Sequence, residues 1–389
     1  MCISPERLTV SYRILVLEGL TERGQEILRA DGWTLDQMKA QPQEELLKLV
    51  PPYHAILVRS GSKMTPDVID AAKNLKVIGR AGVGVDNIDL AAATRRGVLV
   101  MNSPGGNTIS TAELAIALML ALARNIPPAD SSMKGENWDR KKYAGVELYG
   151  KRLGVVGLGR IGREVASRAR AFGMEVQAYD PFVSAAVAEE AHVKLRSLEE
   201  LLQTSDYLTL HTTLTDETRH LLNKETLSKV KPGVRIVNAA RGPLIDPDAL
   251  IEALDAGRVA GAGLDVHAKE PPQDWRLAHH PKVIATPHLG ASTREAQQRV
   301  GTDIAQQVRD YLKGGIIQQA VNFYSLAGDL YDKVRPAMDL GERLGLFLGQ
   351  ACRGSLERIE LGVYGDLREL DLKPILSASV GGVLKPHMA

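Results

Sequence analysis

The stretch from Leu153 to Gly162, read Leu-Gly-Val-Val-Gly-Leu-Gly-Arg-Ile-Gly, has the residue types and spacing of a phosphate cradle. An apolar run turns on glycines and opens a helix expected over residues 163–172. A second apolar run, 175–179, stops at Asp180. Gly157 allows the tight turn, Gly159 lets the backbone approach a pyrophosphate, and Gly162 lets the helix lie close to the sheet. The first N–H groups of that helix then face the phosphates at its positive dipole end. Asp180 takes the ribose hydroxyls and repels a 2′-phosphate, which favours NAD over NADP. A glycine turn alone is a weak signal; the strands, helix and acid around it make it a cofactor site.

Oxidation of an alcohol at such a site needs a base for the hydroxyl proton and a cation for a charged substrate. His288 is the natural proton carrier, because imidazole intrinsically titrates near neutrality. An acidic partner would stabilise its imidazolium, and Glu270, in Lys269-Glu270-Pro271, is the best-placed candidate. Arg241 offers planar donors that hold a carboxylate bidentately and polarise the carbonyl beside it. Taken singly, a histidine after proline reads as loop and an arginine before glycine as solvated. Their position after parallel strands is what sets them apart.

The elements that must position these groups alternate between strand and helix. Strands are predicted at 13–17, 55–58, 76–79 and 97–101, with helices at 21–31, 44–49, 65–72 and 89–96 between them. A long helix follows at 108–125, ended by Pro127-Pro128. Beyond the glycine turn, strands at 207–210, 235–238, 260–266 and 282–285 alternate with helices at 198–203, 223–230 and 247–256. This alternation means parallel sheets with helices on both faces. Ligands of such sheets sit beyond the carboxyl ends of strands. Asp180, Thr212, Arg241, Asp265 and His288 all stand there, which predicts one shared cleft. Helices at 292–313 and 329–350 close the chain, with a half-buried strand expected where Ile359, Leu361 and Val363 alternate.

Bulk properties narrow the function classes. Forty-eight basic against 47 acidic side chains leave a net charge of +1, so nothing points to nucleic acid or an anionic membrane. Cys2 and Cys352 are the two cysteines, too few for a zinc site or a disulfide framework, and no metal is expected. The apolar run 114–123 is too short to span a bilayer, and the N-terminus has no signal-peptide pattern. A cytoplasmic protein is the expectation. Trp138 lies in the polar segment 130–142, and an exposed tryptophan there suggests an interface.

These motifs together make the chain resemble the D-isomer-specific 2-hydroxyacid dehydrogenases. The resemblance is carried by 79–87 (Gly-Arg-Ala-Gly-Val-Gly-Val-Asp-Asn), 102–107, 157–162, 238–242, 265–271 and 287–293, and covers about residues 12–325. It implies that Arg241, Glu270 and His288 form a catalytic trio. It places NAD against Arg160, Ile161, Asp180, Thr212, Ala239, Ala240, Arg241, Asp265 and the run from His288 through Gly290 to Ala291. Arg59, Arg80 and Asn102 match the family's substrate-holding positions, and two arginines suit a phosphate plus a carboxylate. Segments 138–142 and 287–293 favour the phosphoglycerate branch, in which hydride passes from C2 of 3-phosphoglycerate to the nicotinamide. The family's homodimer forms through the nucleotide-binding domains, which offers the Trp138 segment a use.

The resemblance implies two doubly wound α/β domains with NAD between them. A Rossmann nucleotide-binding domain, 104–288, is inserted in a flavodoxin-like substrate domain made of 1–103 and 289–323. Residues 324–389 look like the start of an intervening domain found in long members of the family. Two other readings remain at this stage. A hydroxypyruvate or glyoxylate reductase would turn over unphosphorylated substrates and ignore loss of Arg59 or Arg80. A non-enzymatic NADH-sensing corepressor would bind peptide with negligible turnover, and the intact trio argues against it.

Overall fold

The computed structural model describes residues 11–323, 329–351, 358–369 and 372–384. Each of two compact units, Met1–Pro104 with Gln298–Ala389 and Gly105–Gln297, is built on its own parallel sheet. The return to the first unit falls at Gln298, inside a helix, rather than at the expected residue 289.

In the first unit the strands are β1 (Arg13–Leu17), β2 (Thr34–Met38), β3 (Ala55–Val58), β4 (Val77–Arg80) and β5 (Leu99–Asn102), in the order β2-β1-β3-β4-β5. β3 is buried along its whole length because both sheet faces are covered. Alternate residues feed the two layers. Leu15, Ile56, Val58 and Ile78 meet the helices Pro66–Ala71 and Leu90–Arg95. Ile14, Val16, Leu57 and Val77 pack with Val300, Ile304 and Val308 of the helix Arg294–Gly314. That helix is tied down by Asp31, which accepts from Arg309 Nε at 2.5 Å and Lys313 Nζ at 2.6 Å.

β2 was not expected. Its sequence, Thr-Leu-Asp-Gln-Met, neither alternates nor forms an apolar run. It is an edge strand, gripped by Asp36 Oδ2, which accepts from Arg13 Nε at 2.9 Å and Tyr53 OH at 2.8 Å.

The second unit holds β6 (Arg152–Val156), β7 (Glu175–Tyr179), β8 (Lys194–Leu195), β9 (Tyr207–Leu210), β10 (Val234–Asn238), β11 (Val259–Leu264) and β12 (Val283–Ala285). Their order is β12-β11-β10-β9-β6-β7-β8, all parallel. The chain winds outward from β6 to β8, then crosses back and winds the other way from β9. The pair β6 and β9 is therefore the point where winding reverses, the place where such sheets open a ligand crevice. On one face Ala115, Met119 and Leu122 of the helix Thr108–Arg124 pack with Val165 and Ala169 of the helix Arg160–Ala171 against Val155, Ala178 and Val237. The opposite layer joins Val156, Leu208 and Ile236 to Leu201, Leu250 and Leu254.

Several boundaries differ from expectation for local reasons. The long helix is ended by Asn125 in the left-handed conformation (φ 53°), not by the prolines. Pro127 and Pro128 fall in the first turn of a second helix, Ile126–Lys134, where a missing N–H costs little. The helix after the glycine turn begins at Arg160, three residues before the expected 163, with Gly162 inside its first turn. The short helix Ala185–Glu190 and β8 were also not expected. Ile359, Leu361 and Val363 do alternate half-buried with exposed neighbours, but no strand forms there among the described residues. The helices Asp329–Ala351 and Lys373–Leu384 pack through Val334, Ala337 and Ile375.

Among the described residues no single helix is long and apolar enough to cross a membrane. The apolar Thr108–Arg124 helix and its successor are bent by 64° from one another.

Candidate active site

The glycine turn sits at the reversal point of the second sheet, and each glycine meets a different need. Gly157 has φ 94°, and a Cβ there would lie 2.7 Å from His211 O, so only glycine lets β6 run so close to the chain leaving β9. At Gly162 a Cβ would lie 2.1 Å from Gly157 O, so the helix rests directly on the turn. A Cβ on Gly159 would meet nothing within 4 Å, which leaves open space beside the turn. Gly159 is also the N-cap of the helix Arg160–Ala171 and provides no side-chain cap, so the first N–H groups are left for a ligand. Asp180, at the end of β7, accepts from Leu158 N at 2.8 Å and Phe182 N at 2.9 Å, one bond on each oxygen. Each oxygen keeps acceptor capacity for a hydroxyl. Open space, an uncapped helix start and a carboxylate with spare acceptors fit a dinucleotide.

Thr212 follows β9, its backbone against Gly157. His211 before it was not singled out by sequence. Its Nε2 is 2.8 Å from Thr209 Oγ1, its Nδ1 is buried, and burial pushes its pKa down to about 4. A neutral ring thus stands beside the cofactor turn.

The turn after β10 carries Ala239, Ala240 and Arg241. Asn238, almost wholly buried, braces it from both ends: Nδ2 donates to Arg241 O at 2.9 Å and Oδ1 accepts from Ala240 N at 3.1 Å. Arg241 Nη1 donates to Ala240 O at 2.7 Å. The next residue must be glycine, since a Cβ on Gly242 would lie 2.0 Å from the backbone of His267. That contact seats the arginine turn against the segment leading to Glu270. Sequence reasoning gave neither Asn238 nor Gly242 a role of its own.

His288 and Glu270 meet directly, with Nδ1 to Oε2 at 2.6 Å, both side chains partly exposed. Glu270 Oε1 accepts from His267 N at 3.1 Å. Burial alone would raise the Glu270 carboxyl, but these bonds and the nearby histidines hold it below the usual range, so it stays ionised. His288 itself sits at φ 57°, a strained conformation for a non-glycine residue.

Asp265 explains how that conformation is held. It is fully buried, and its carboxylate accepts from Thr286 Oγ1 (2.6 Å), Leu289 N (2.7 Å) and Gly290 N (2.8 Å), while its carbonyl accepts from His288 N at 2.8 Å. Asp265, expected as a cofactor contact, also braces the histidine loop from within. Thr111 Oγ1 holds the same loop from the long helix by donating to Gly290 O at 3.1 Å, and Ala291 follows on.

Arg59, Arg80 and Asn102 belong to the first unit, each at the carboxyl end of a strand, β3, β4 and β5. β3 lies beside β1 at the reversal point of that sheet. Arg59 O accepts from Asn87 Nδ2 at 2.7 Å, and its Nε is buried with no hydrogen-bond partner among the described residues. Arg80 Nη1 donates to Ala81 O at 3.2 Å. Asn102 Nδ2 donates to Val83 O at 2.6 Å, so its amide nitrogen shapes the neighbouring loop. Asn87 is a further residue missed at the sequence level; it clamps the loop after β3 by donating to both Arg59 O and Ser62 O. No cluster of three or more His, Cys, Asp or Glu suited to a metal occurs among the described residues.

A doubly wound sheet with this cradle, and a histidine–carboxylate pair beside an arginine turn, define a nicotinamide-dependent oxidoreductase. The chain belongs to the D-isomer specific 2-hydroxyacid dehydrogenases, which use NAD: residues 116–290 match the NAD binding domain of that family. Residues 333–389 match the D-3-phosphoglycerate dehydrogenase intervening domain. The chain is similar to the D-3-phosphoglycerate dehydrogenase of Synechocystis sp., 46% identical over 373 residues, 96% of this chain and 67% of the other. To the Archaeoglobus fulgidus D-3-phosphoglycerate dehydrogenase it is 47% identical over 378 residues, 97% of this chain and 72% of the other. Its fold resembles D-lactate dehydrogenase from Aquifex aeolicus complexed with NAD and lactic acid (TM-score 0.72, 30% identity, 80% of this chain and 100% of the other).

Proposed function

We propose that this chain oxidises D-3-phosphoglycerate to 3-phosphohydroxypyruvate with NAD, the first step of L-serine biosynthesis. The 2.6 Å bond between His288 and Glu270 carries the reading, because it orients an imidazole as a base beside an arginine turn. Similarity to D-3-phosphoglycerate dehydrogenases and the two arginines of the first unit support the phosphorylated substrate.

The helix start at Arg160 and Ile161 binds the pyrophosphate, Asp180 the ribose hydroxyls, and Thr212, Ala239, Ala240, Gly290 and Ala291 complete the cofactor's wall. NAD, when bound, would supply the hydride acceptor for C2. His288 Nε2 takes the hydroxyl proton, and Glu270 stabilises the imidazolium through Nδ1. Arg241 holds the substrate carboxylate and stabilises charge on the oxygen as the carbonyl forms. Arg59 and Arg80 neutralise the phosphate, with Asn102 ordering the loop beside them. Residues 1–104 with 298–323 serve substrate, and 105–297 serve NAD. The protein works in the cytoplasm as a homodimer formed through its nucleotide-binding domains, and Trp138, 73% exposed, supports a contact there.

Initial rates with 3-phosphoglycerate, glycerate, lactate and glyoxylate, each with NAD and NADP or their reduced forms, test the reading. Phosphoglycerate with NAD should give the highest kcat/KM. A higher value for an unphosphorylated acid would assign the chain to another branch of the family.

A further inference from the structure

A second site lies at the opposite end of the nucleotide-binding sheet from the glycine turn. A cavity of about 520 Å³ opens at the amino ends of β6, β7 and β8, whose carboxyl ends carry Gly157 and Asp180. Parallel register sets which side chains face it. Arg152 pairs with Glu175 and Lys194 with Gln177, so these four share one face of the sheet. Gln177 Nε2 donates to Thr204 Oγ1 at 2.7 Å and Ser205 Oγ at 3.1 Å, which identifies that face as the one roofed by the helix Leu198–Thr204. Arg170, from the last turn of the helix Arg160–Ala171, and Arg196, just after β8, line the same cavity.

The charge balance is one-sided. Four cations, Arg152, Arg170, Lys194 and Arg196, face two carboxylates, Glu175 and Glu200, leaving two positive charges in excess. Both carboxylates have other work: Glu175 pairs with Arg152 at 3.1 Å, and Glu200 accepts from Ser197 N and Oγ as a helix cap. Arg170, Lys194 and Arg196 form no ion pair within 4 Å among the described residues, although the charge of Arg196 is felt at Glu200. Three like charges brought from a helix end and a strand edge repel one another, and a dianion among them would relieve that repulsion. Two guanidinium forks and one ammonium are the donor types that bind the oxygens of a phosphate. The volume leaves room for an organic remainder beyond it.

The geometry points to a phosphate-binding site formed by Arg170, Lys194 and Arg196, separate from the catalytic residues and taking a phosphate dianion, free or esterified. Calorimetric titration with inorganic phosphate at pH 8 tests it, with the full chain saturated in NADH and ionic strength held constant with chloride. Four proteins are compared: wild type, R59A/R80A, R170A/K194A/R196A and the variant combining both sets. Uptake should persist in R59A/R80A and weaken at least tenfold when R170A/K194A/R196A is added to it, while the triple variant alone should keep a kcat near wild type. Uptake in the combined variant equal to that of R59A/R80A, uptake lost wholly with R59A/R80A, or none in wild type would each overturn the site. Repeating the titration with glycerol 2-phosphate separates the sources. Equal loss when the three substitutions are added to R59A/R80A supports the shared phosphate group, and ester binding retained in that combined variant overturns it.

Discussion

The carboxylate of Asp265 grips the loop that carries His288 without touching the imidazole. It accepts the amides of Leu289 and Gly290 at 2.7 and 2.8 Å, so the left-handed backbone at His288 is set from a buried anchor one strand away. Asp265→Asn keeps the shape but turns an acceptor into a donor facing N–H groups. Leaving one such pair unmatched costs about 1–3 kcal/mol. Thermal unfolding should show that loss. With the loop loosened, kcat should fall while the KM for NAD changes less. Wild-type kcat in a destabilised variant would separate Asp265 from the placement of His288.

His288→Ala tests the base. Loss of a general base typically costs about 10² to 10⁴ in rate, so kcat should fall by that order while NADH binding, followed by fluorescence, stays close to wild type. Glu270 adds a pH signature. Its folded-state pKa is depressed, so its contribution to stability is complete above the unfolded carboxylate value, about 4.3, and is lost as pH falls through the lower folded value. Glu270→Gln should therefore remove stability at neutral pH and leave less to lose on acidification. Parallel acid-unfolding curves for variant and wild type would contradict an ionised Glu270.

Much of this site was legible because parallel α/β sheets place function at strand ends. Asp180, Arg241 and His288 could be set there by counting apolar runs. What escaped was the bracing. Asp265 was placed at a strand end, but its bonds to Thr286, Leu289 and Gly290 lie beyond the next strand, and the side chain of the buried Asn238 bonds only within its own turn, so no local pattern names either as a brace. Asn238 had one visible signal, its place just before the Ala239-Ala240-Arg241-Gly242 turn. β2 escaped for a different reason. An edge strand need not be apolar, and Thr34–Met38 is held by Asp36 bonds to Arg13 and Tyr53. Pro127-Pro128 misled because proline breaks a helix interior but is welcome in a first turn, and which applies depends on Asn125 before it.

Asn238→Asp probes the arginine turn. The substituted carboxylate can still accept from Ala240 N but repels Arg241 O, so the turn should open at its arginine end. Because Arg241 is assigned to the substrate carboxylate, KM for the acid should rise, about tenfold if the displaced arginine forfeits some 1.4 kcal/mol of binding. Asn238→Ala removes both braces and should impair cofactor binding as well. A fall in kcat with unchanged KM in Asn238→Asp would count against this division.

His211 gives the protein a predictable acid weakness. Its folded pKa of about 4 lies below an unfolded value near 6.5, so the unfolded chain binds more protons between those limits and stability falls as pH drops through them. The full effect is on the order of 3 kcal/mol, present above pH 6.5 and gone near pH 4. Urea unfolding at intervals from pH 7 to 4.5 should show this slope. His211→Asn should flatten it, at some cost in stability at pH 7 from the Thr209 contact. A variant whose stability fell with pH as steeply as wild type would place the weakness elsewhere.

Asp31 tests how the returning helix is held on the first sheet. Its carboxylate receives Arg309 and Lys313 from consecutive turns of Arg294–Gly314, and those bonds, Arg309 first, hold its pKa below the usual range despite burial. The sign follows: the clamp is complete above the unfolded carboxylate value and released as pH falls through the lower folded one. Asp31 and Arg309 are mostly covered whereas Lys313 is exposed, so the Arg309 bond should carry most of the effect. Asp31→Asn should cost about 1–2 kcal/mol at neutral pH, and Lys313→Ala distinctly less. Hydrogen exchange gives the sharper readout. Amides in the last turns of Arg294–Gly314 should lose protection in Asp31→Asn, while those at Val300 and Ile304, packed against the sheet, should keep theirs. Uniform loss along the helix would mean that apolar packing there depends on the clamp.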